Sequence, residues 1–216
     1  MQKGKSNLAK MTVTAVLTAA AYLTVVVIKI PVNGFLELEF KDAITAILSL
    51  MFGPLYGILS SVVLALLEIV TISDSGIYGL IMNVVSSVAF TGIVGVVYKY
   101  RRTLGGAVIG FVFSVLVTSA LMLGANCVIT PLFTGMPRDA IIKMLLPFFL
   151  PFNLIKYTLN SAVAVLLYKP LIGAFRQMGL AEKSERKTFS KKSVFVAASA
   201  AAVLALGLFL LFTVFD

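Results

Sequence analysis

Residues 43–72 read AITAILSLMFGPLYGILSSVVLALLEIVTI, an almost wholly apolar run that Gly53-Pro54 interrupts once. As a single helix this run would be about 45 Å long, against roughly 30 Å for the hydrocarbon core of a bilayer. Proline lacks a backbone donor and disfavours helix in the residue before it. The sequence therefore predicts a short helix over 43–52, a turn, and a longer helix over 55–72.

The rest of the chain has the composition of a membrane protein. Its 216 residues are 60% hydrophobic and only 12% charged, with a mean hydropathy of +1.04, which is too apolar for a soluble domain of this length. The remaining apolar spans cover 11–30, 77–98, 105–131, 142–170 and 194–215. We therefore expect an all-α integral membrane protein with seven helices.

Basic residues accumulate in alternate loops, which predicts the orientation. A cytoplasmic N-terminus places four basic residues outside, interleaved with acidic ones: Lys29, Lys41, Arg138 and Lys143. It places thirteen others inside: Lys3, Lys5, Lys10, Lys99, Arg101, Arg102, Lys169, Arg176, Lys183, Arg186, Lys187, Lys191 and Lys192. The sequence thus predicts a multi-pass protein of the cell membrane. The net charge of +9 reflects this topology, and no nucleic-acid partner is expected.

One membrane span carries a lysine. Asn153, Lys156 and Asn160 are spaced to share one helix face, and a lysine inside a bilayer costs roughly 2.5 to 3.5 kcal/mol unless a partner, water or ligand satisfies it. Polar residues lie at similar depth on three other helices: Glu68, Asn83 and Asn126. This pattern predicts an inward-facing site. Two alternatives stay open: ordinary interhelical hydrogen bonding by the asparagines, and an ion pair between Lys156 and Glu68.

Several functions lack the residues they need. The chain has no His and one Cys, Cys127, so neither a metal site nor a metal-dependent enzyme is expected. It has no G-x-x-x-x-G-K-[ST] loop for ATP and no intramembrane relay of acidic and His residues for proton coupling. A binding protein that takes its energy from a partner fits these observations best.

Five stretches carry a resemblance to a known family, over about residues 5–172. They are Ala15-x-x-x-Ala19, Leu38-Glu39-Phe40-Lys41-Asp42, Phe52-Gly53-Pro54-Leu55-Tyr56-Gly57, Asn126 before Pro131, and Pro147 through Lys156, which ends in Pro-Phe-Asn-Leu-Ile-Lys. Together they resemble the substrate-binding S components of energy-coupling factor (ECF) vitamin transporters. Within that family the chain is most similar to the riboflavin-specific members.

The resemblance implies a domain organisation and partners. Residues 1–172 would form a six-helix substrate-binding membrane domain, 173–193 a basic cytoplasmic linker, and 194–216 an additional transmembrane helix. The domain would capture riboflavin from outside, without a cofactor, and dock through Ala15 and Ala19 onto an EcfT-like coupling subunit driven by two EcfA-like ATPases. The last helix has no ionisable group within 194–215, so we expect it to be an appended anchor that is dispensable for binding.

The resemblance also implies site residues. Asn126, Asn153 and Lys156 would contact the edge of the flavin ring, with Phe148, Phe149 and Phe152 as candidate apolar walls. The segment 38–42 would be a lid or ribityl contact. The full predicted ligand set is Glu39, Phe40, Asp42, Glu68, Asn83, Asn126, Asn153 and Lys156. Two other functions stay open: an S component for another vitamin or small metabolite, and a membrane-embedded enzyme.

Overall fold

The computed structural model describes residues 2–32, 36–178 and 191–215, which form seven helices and one pair of short strands. Helix α6 has three consecutive parts, Arg138–Met144, a π-helical segment Leu145–Phe149, and Leu150–Gln177. The strands β1 (Ile30–Val32) and β2 (Leu36–Leu38) pair antiparallel, with Ile30 opposite Leu38. The other helices are α1 Gln2–Val27, α2 Lys41–Phe52, α3 Pro54–Thr71, α4 Gly76–Tyr100, α5 Leu104–Thr134 and α7 Lys191–Phe215.

The split at Gly53-Pro54 is confirmed. Gly53 has φ 105°, a conformation that favours glycine, and Pro54 is the first residue of α3, where a missing N–H costs nothing. The turn lies directly against α4. A Cβ placed on Gly95 would lie 2.7 Å from the Cα of Pro54, so this contact requires a residue without a side chain.

Helix α2 is the centre of the bundle. It packs against α1, α3, α4 and α6, and residues 41–50 are all buried. Twelve residues span only about 18 Å, so α2 cannot cross a bilayer alone. In the part of the chain that the structure describes, the six other helices are long and apolar enough to do so. The polar first turn of α2 is therefore buried by protein rather than by lipid.

Helix α6 begins at Arg138, four residues before the predicted start at 142. Its π-helical segment contains Pro147 and ends two residues before Pro151. A proline within a helix removes one ladder hydrogen bond and clashes with the carbonyl four residues earlier, and a π-helical turn relieves such a clash. Asn153 and Lys156 follow this irregular stretch.

The C-terminal part differs from the expected linker and anchor. Helix α6 continues to Gln177, so the predicted linker over 173–193 begins within a helix. Residues 179–190 of that linker lie outside the described residues. Helix α7 packs along α6 instead of standing apart from the bundle.

Candidate ligand-binding site

A cavity opens at the end of the bundle that carries β1, β2 and the α3–α4 connection. Its empty volume is about 930 Å³, including the open mouth, and its walls come from α3, α4, α5, α6 and the β2 segment. Six of the eight predicted ligand residues line it: Glu39, Glu68, Asn83, Asn126, Asn153 and Lys156. Residues more than 100 positions apart in the sequence thus meet at one site.

The remaining two predicted ligand residues lie outside the cavity lining. Phe40 precedes α2 and packs against the apolar cluster formed by the strands, α6 and α7. Asp42 is buried in the first turn of α2, where the partial positive charge of a helix N-terminus offsets a carboxylate.

A buried ion network forms one side of the cavity. Its centre is Lys41, whose Nζ donates to Glu68 Oε1 at 2.7 Å and lies 2.8 Å from Glu39 Oε2. The amide of Asn83 donates to Glu68 Oε2 at 2.8 Å. Glu68 therefore pairs with Lys41 and not with Lys156, which corrects the alternative raised from the sequence.

Lys156 lines the cavity and contacts the β2 segment. Its Nζ donates to the backbone carbonyl of Glu37 at 3.0 Å and lies 3.8 Å from Glu39 Oε2. The longer distance is that of a loose ion pair, and an ammonium has three donors. Lys156 thus has a carboxylate neighbour and keeps donor capacity toward the cavity.

The charge of Glu39 is set by its lysine neighbours. Burial alone would raise the pKa of this carboxyl, but the charges of Lys41 and Lys156 outweigh that effect and hold the pKa below its ordinary value. The stabilisation this pairing gives the fold is therefore present above the ordinary glutamate pKa. It is lost as the pH falls through the lowered value.

Two asparagines on facing helices present amides to the cavity. Asn153 donates one N–H to the carbonyl of Phe149 at 2.7 Å, and Asn126 donates one to Met122 at 2.7 Å and accepts from Thr130 at 2.8 Å. These contacts within each helix fix both side chains. An amide has two donors and two acceptor lone pairs, so each side chain retains hydrogen-bonding capacity.

Asn160 has a different role from Asn153 and Lys156, which share its helix face. It is fully buried, accepts from the backbone N–H of Ala43 at 2.9 Å, and donates to the carbonyl of Glu39 at 2.8 Å. It does not line the cavity. Asn160 therefore anchors the start of α2 and the segment before it to α6.

The apolar walls differ in part from the sequence expectation. Of the three phenylalanines proposed as walls, only Phe152 lines the cavity. The structure adds apolar lining residues that sequence reasoning missed: Leu36, Ile72, Tyr78, Met82, Met122, Ile129, Phe133 and Tyr157. Nothing distinguishes these residues from lipid-facing ones in the sequence. Lys41 was missed as a member of the network, although its place between Glu39 and Asp42 marked it as a charge within an acidic stretch.

The predicted docking residues lie on the outer face of α1. Ala15 and Ala19 are both exposed, whereas Val13, Leu17 and Ala21 are buried against the bundle. The two alanines therefore leave a small-residue surface that the protein's own described helices do not cover.

The fold and the cavity define a membrane-embedded ligand-binding bundle, and comparison with known proteins assigns its family. Residues 9–168 match the family of ECF transporter substrate-specific components, so the chain belongs to that family. It is a substrate-binding component of a transporter, not an enzyme. S components of this family partner with EcfT and EcfA subunits.

A solved structure shows the same fold. It is described as the structure and mechanism of the S component of a bacterial ECF transporter. The two chains share 24% identity with a TM-score of 0.67, over 81% of this chain and 99% of that one. No curated protein sequence matches this chain.

Proposed function

We propose that this chain is a riboflavin-binding S component, similar to RibU, of an ECF uptake transporter in the cell membrane. The observation that carries the proposal is the meeting of Asn126, Asn153 and Lys156 around one cavity with aromatic walls. The isoalloxazine ring has an edge of carbonyls and an N–H, which two amides and an ammonium match in both hydrogen-bonding senses. The aromatic walls suit the body of the ring.

The charges around the cavity favour an uncharged ligand. The lining residues carry two positive charges, Lys29 and Lys156, and three negative ones, Glu37, Glu39 and Glu68. The buried Lys41 and Asp42 beside them add one charge of each sign, so the set has no positive charge in excess. Most are already paired, as Lys29 and Glu37 are at 2.7 Å. A buried charge without a partner is costly, so an anionic ligand would need a counter-charge that this set does not supply. Riboflavin is neutral, and its ribityl hydroxyls can donate to the carboxylates.

The positions of the cavity and of the basic connections also indicate how the protein is oriented in the membrane. The cavity opens at the end of the bundle opposite the α4–α5 connection, which carries Arg101 and Arg102. Since basic connections face the cytoplasm, the N-terminus of α1 lies inside and the cavity opens outward. Vitamin would enter from outside and leave only after docking.

Riboflavin should bind this protein at least tenfold more tightly than FMN. The two ligands differ by one phosphate, whose negative charge no excess of positive groups at the cavity compensates. Each tenfold difference in affinity corresponds to about 1.4 kcal/mol. The measurement is quenching of flavin fluorescence on titration with purified protein, after an absorption spectrum has tested for copurified flavin. A colourless protein that quenches neither flavin would refute the riboflavin assignment. Tighter binding of FMN would refute the charge argument.

Replacing Ala15 and Ala19 together with Leu should abolish most vitamin uptake while leaving equilibrium binding within about twofold. Small residues let helix backbones approach closely, so the added volume blocks docking of EcfT on the exposed face of α1. Uptake, binding and copurification with EcfT and EcfA are measured on the same variant. The matched control is Ala201→Leu with Ala205→Leu, an exposed pair of equal spacing on α7. Preserved uptake, or parallel loss of binding, would contradict the docking role.

A further inference from the structure

Helix α7 lies outside residues 9–168 that match the family, yet it packs closely on the binding domain. The closest approach is at Gly207, which is buried against Leu159 of α6. A Cβ at position 207 would lie 2.7 Å from Leu159 Cδ2, so the two helices meet where α7 has no side chain. Close contact through a small residue is typical of specific packing between membrane helices.

Helix α7 contacts the paired strands as well as α6. Val32 of β1, Leu38 of β2, Phe152 and Leu159 of α6, and Leu211 of α7 form one buried apolar cluster. Residues that pack around it include Leu36, Leu204 and Leu208. Helix α7 thus packs against the side of the strands that carries Val32 and Leu38.

The opposite side of β2 faces the cavity. Glu37, whose side chain points away from the face that carries Leu36 and Leu38, lines the cavity. Leu36 and Phe152 pack in or around the apolar cluster and also border the cavity. Polar contacts hold the same segment from within: Lys156 donates to the carbonyl of Glu37, and Asn160 to that of Glu39. The segment is therefore clamped between α6 on the cavity side and the leucines of α7 on the other.

We propose that α7 is a positioning element of the ligand site, which holds β1 and β2 over the cavity and slows escape of the ligand. Lipid chains are as apolar as leucine, so they could cover the strands without fixing their position, whereas a packed helix does both. This inference rests on the proposed function in treating the cavity as the ligand site. It replaces the expectation that α7 is dispensable for binding.

The test is Gly207→Leu in the full-length protein, compared with Ala205→Leu, which adds similar bulk on an exposed face of α7. Overpacking a close contact should displace α7 and release riboflavin about tenfold faster, as measured by stopped-flow dissociation. Amide hydrogen exchange over 30–32 and 36–38, in lipid nanodiscs without ligand, should speed up in Gly207→Leu alone. Combining Gly207→Leu with Leu159→Ala makes room for the added side chain and should restore slow exchange and slow release.

The two readouts separate this inference from the proposed function. If riboflavin does not bind the unaltered protein, the riboflavin assignment fails, and strand exchange still decides the role of α7. Unchanged exchange in Gly207→Leu would overturn the inference. Faster exchange with an unchanged dissociation rate would also overturn it, because α7 would then fix the strands without affecting the ligand.

Discussion

Lys156→Met should weaken riboflavin binding by roughly ten- to a hundredfold while the protein still folds, because a charged donor to a ligand contributes about 1.5 to 3 kcal/mol. Methionine preserves the length of the side chain and removes the ammonium that lines the cavity. The fold survives because Glu39 keeps its pairing with Lys41 at 2.8 Å. Equilibrium titration of flavin fluorescence measures the affinity, and size-exclusion chromatography checks the fold.

Lys29→Met is the matched control for this substitution. Lys29 also lines the cavity, but its side chain is 27% exposed and it pairs with Glu37 at the mouth. Exposed ion pairs contribute about 0 to 1 kcal/mol, so this variant should change affinity by less than about fivefold. Equal affinities for Lys156→Met and the unaltered protein would remove Lys156 from the ligand site.

The helices and the location of the cavity were predictable because both leave local signals. Gly53-Pro54 breaks a run too long for one bilayer crossing, and the structure breaks the helix there. The charge of Lys156 costs free energy in a membrane unless protein, water or a ligand surrounds it. Its position within a span therefore indicated that this face of the helix points into the bundle. The structure places it at the cavity together with Asn126 and Asn153.

Partner choice within the site was not predictable, because it depends on where α2 lies. The sequence offered Glu68 as a partner for Lys156, since both were expected at the same depth. The structure buries the first turn of α2 in the middle of the bundle, which brings Lys41 to Glu68 instead. The twelve residues of α2 do not reveal in the sequence that this helix packs against four others.

The packing of α7 was hidden for a different reason. In a soluble protein an apolar face marks the side of a helix that is buried by protein. In a membrane an apolar helix face can contact either lipid or protein. The sequence around Gly207 therefore does not show which of the two its leucines contact. The close approach of Gly207 to Leu159 and the burial of Leu211 against the strands distinguish a packed helix from a free anchor.

Lys41→Met should have the largest effect of any single substitution on the stability of the fold. Lys41 is the central cation between Glu39 and Glu68, and all three side chains are buried. Removing one member of a buried ion network leaves uncompensated charge and typically costs about 3 to 5 kcal/mol. The variant should lose its monodisperse chromatographic peak at a much lower temperature than the unaltered protein.

A second substitution decides whether the cost arises from charge or from packing. Lys41→Met combined with Glu68→Gln removes a negative charge together with its cation, so it should recover much of the lost stability, because a neutral amide needs no counter-ion. Lys143→Met, the same change at an exposed position, should stay within about 0.5 kcal/mol of the unaltered protein. If the double variant were as unstable as Lys41→Met alone, the lysine would stabilise the fold through the packing of its aliphatic chain. Recovery with Glu68→Gln would instead show that Lys41 serves to neutralise the carboxylates at the cavity, which is the condition for a site that binds an uncharged vitamin.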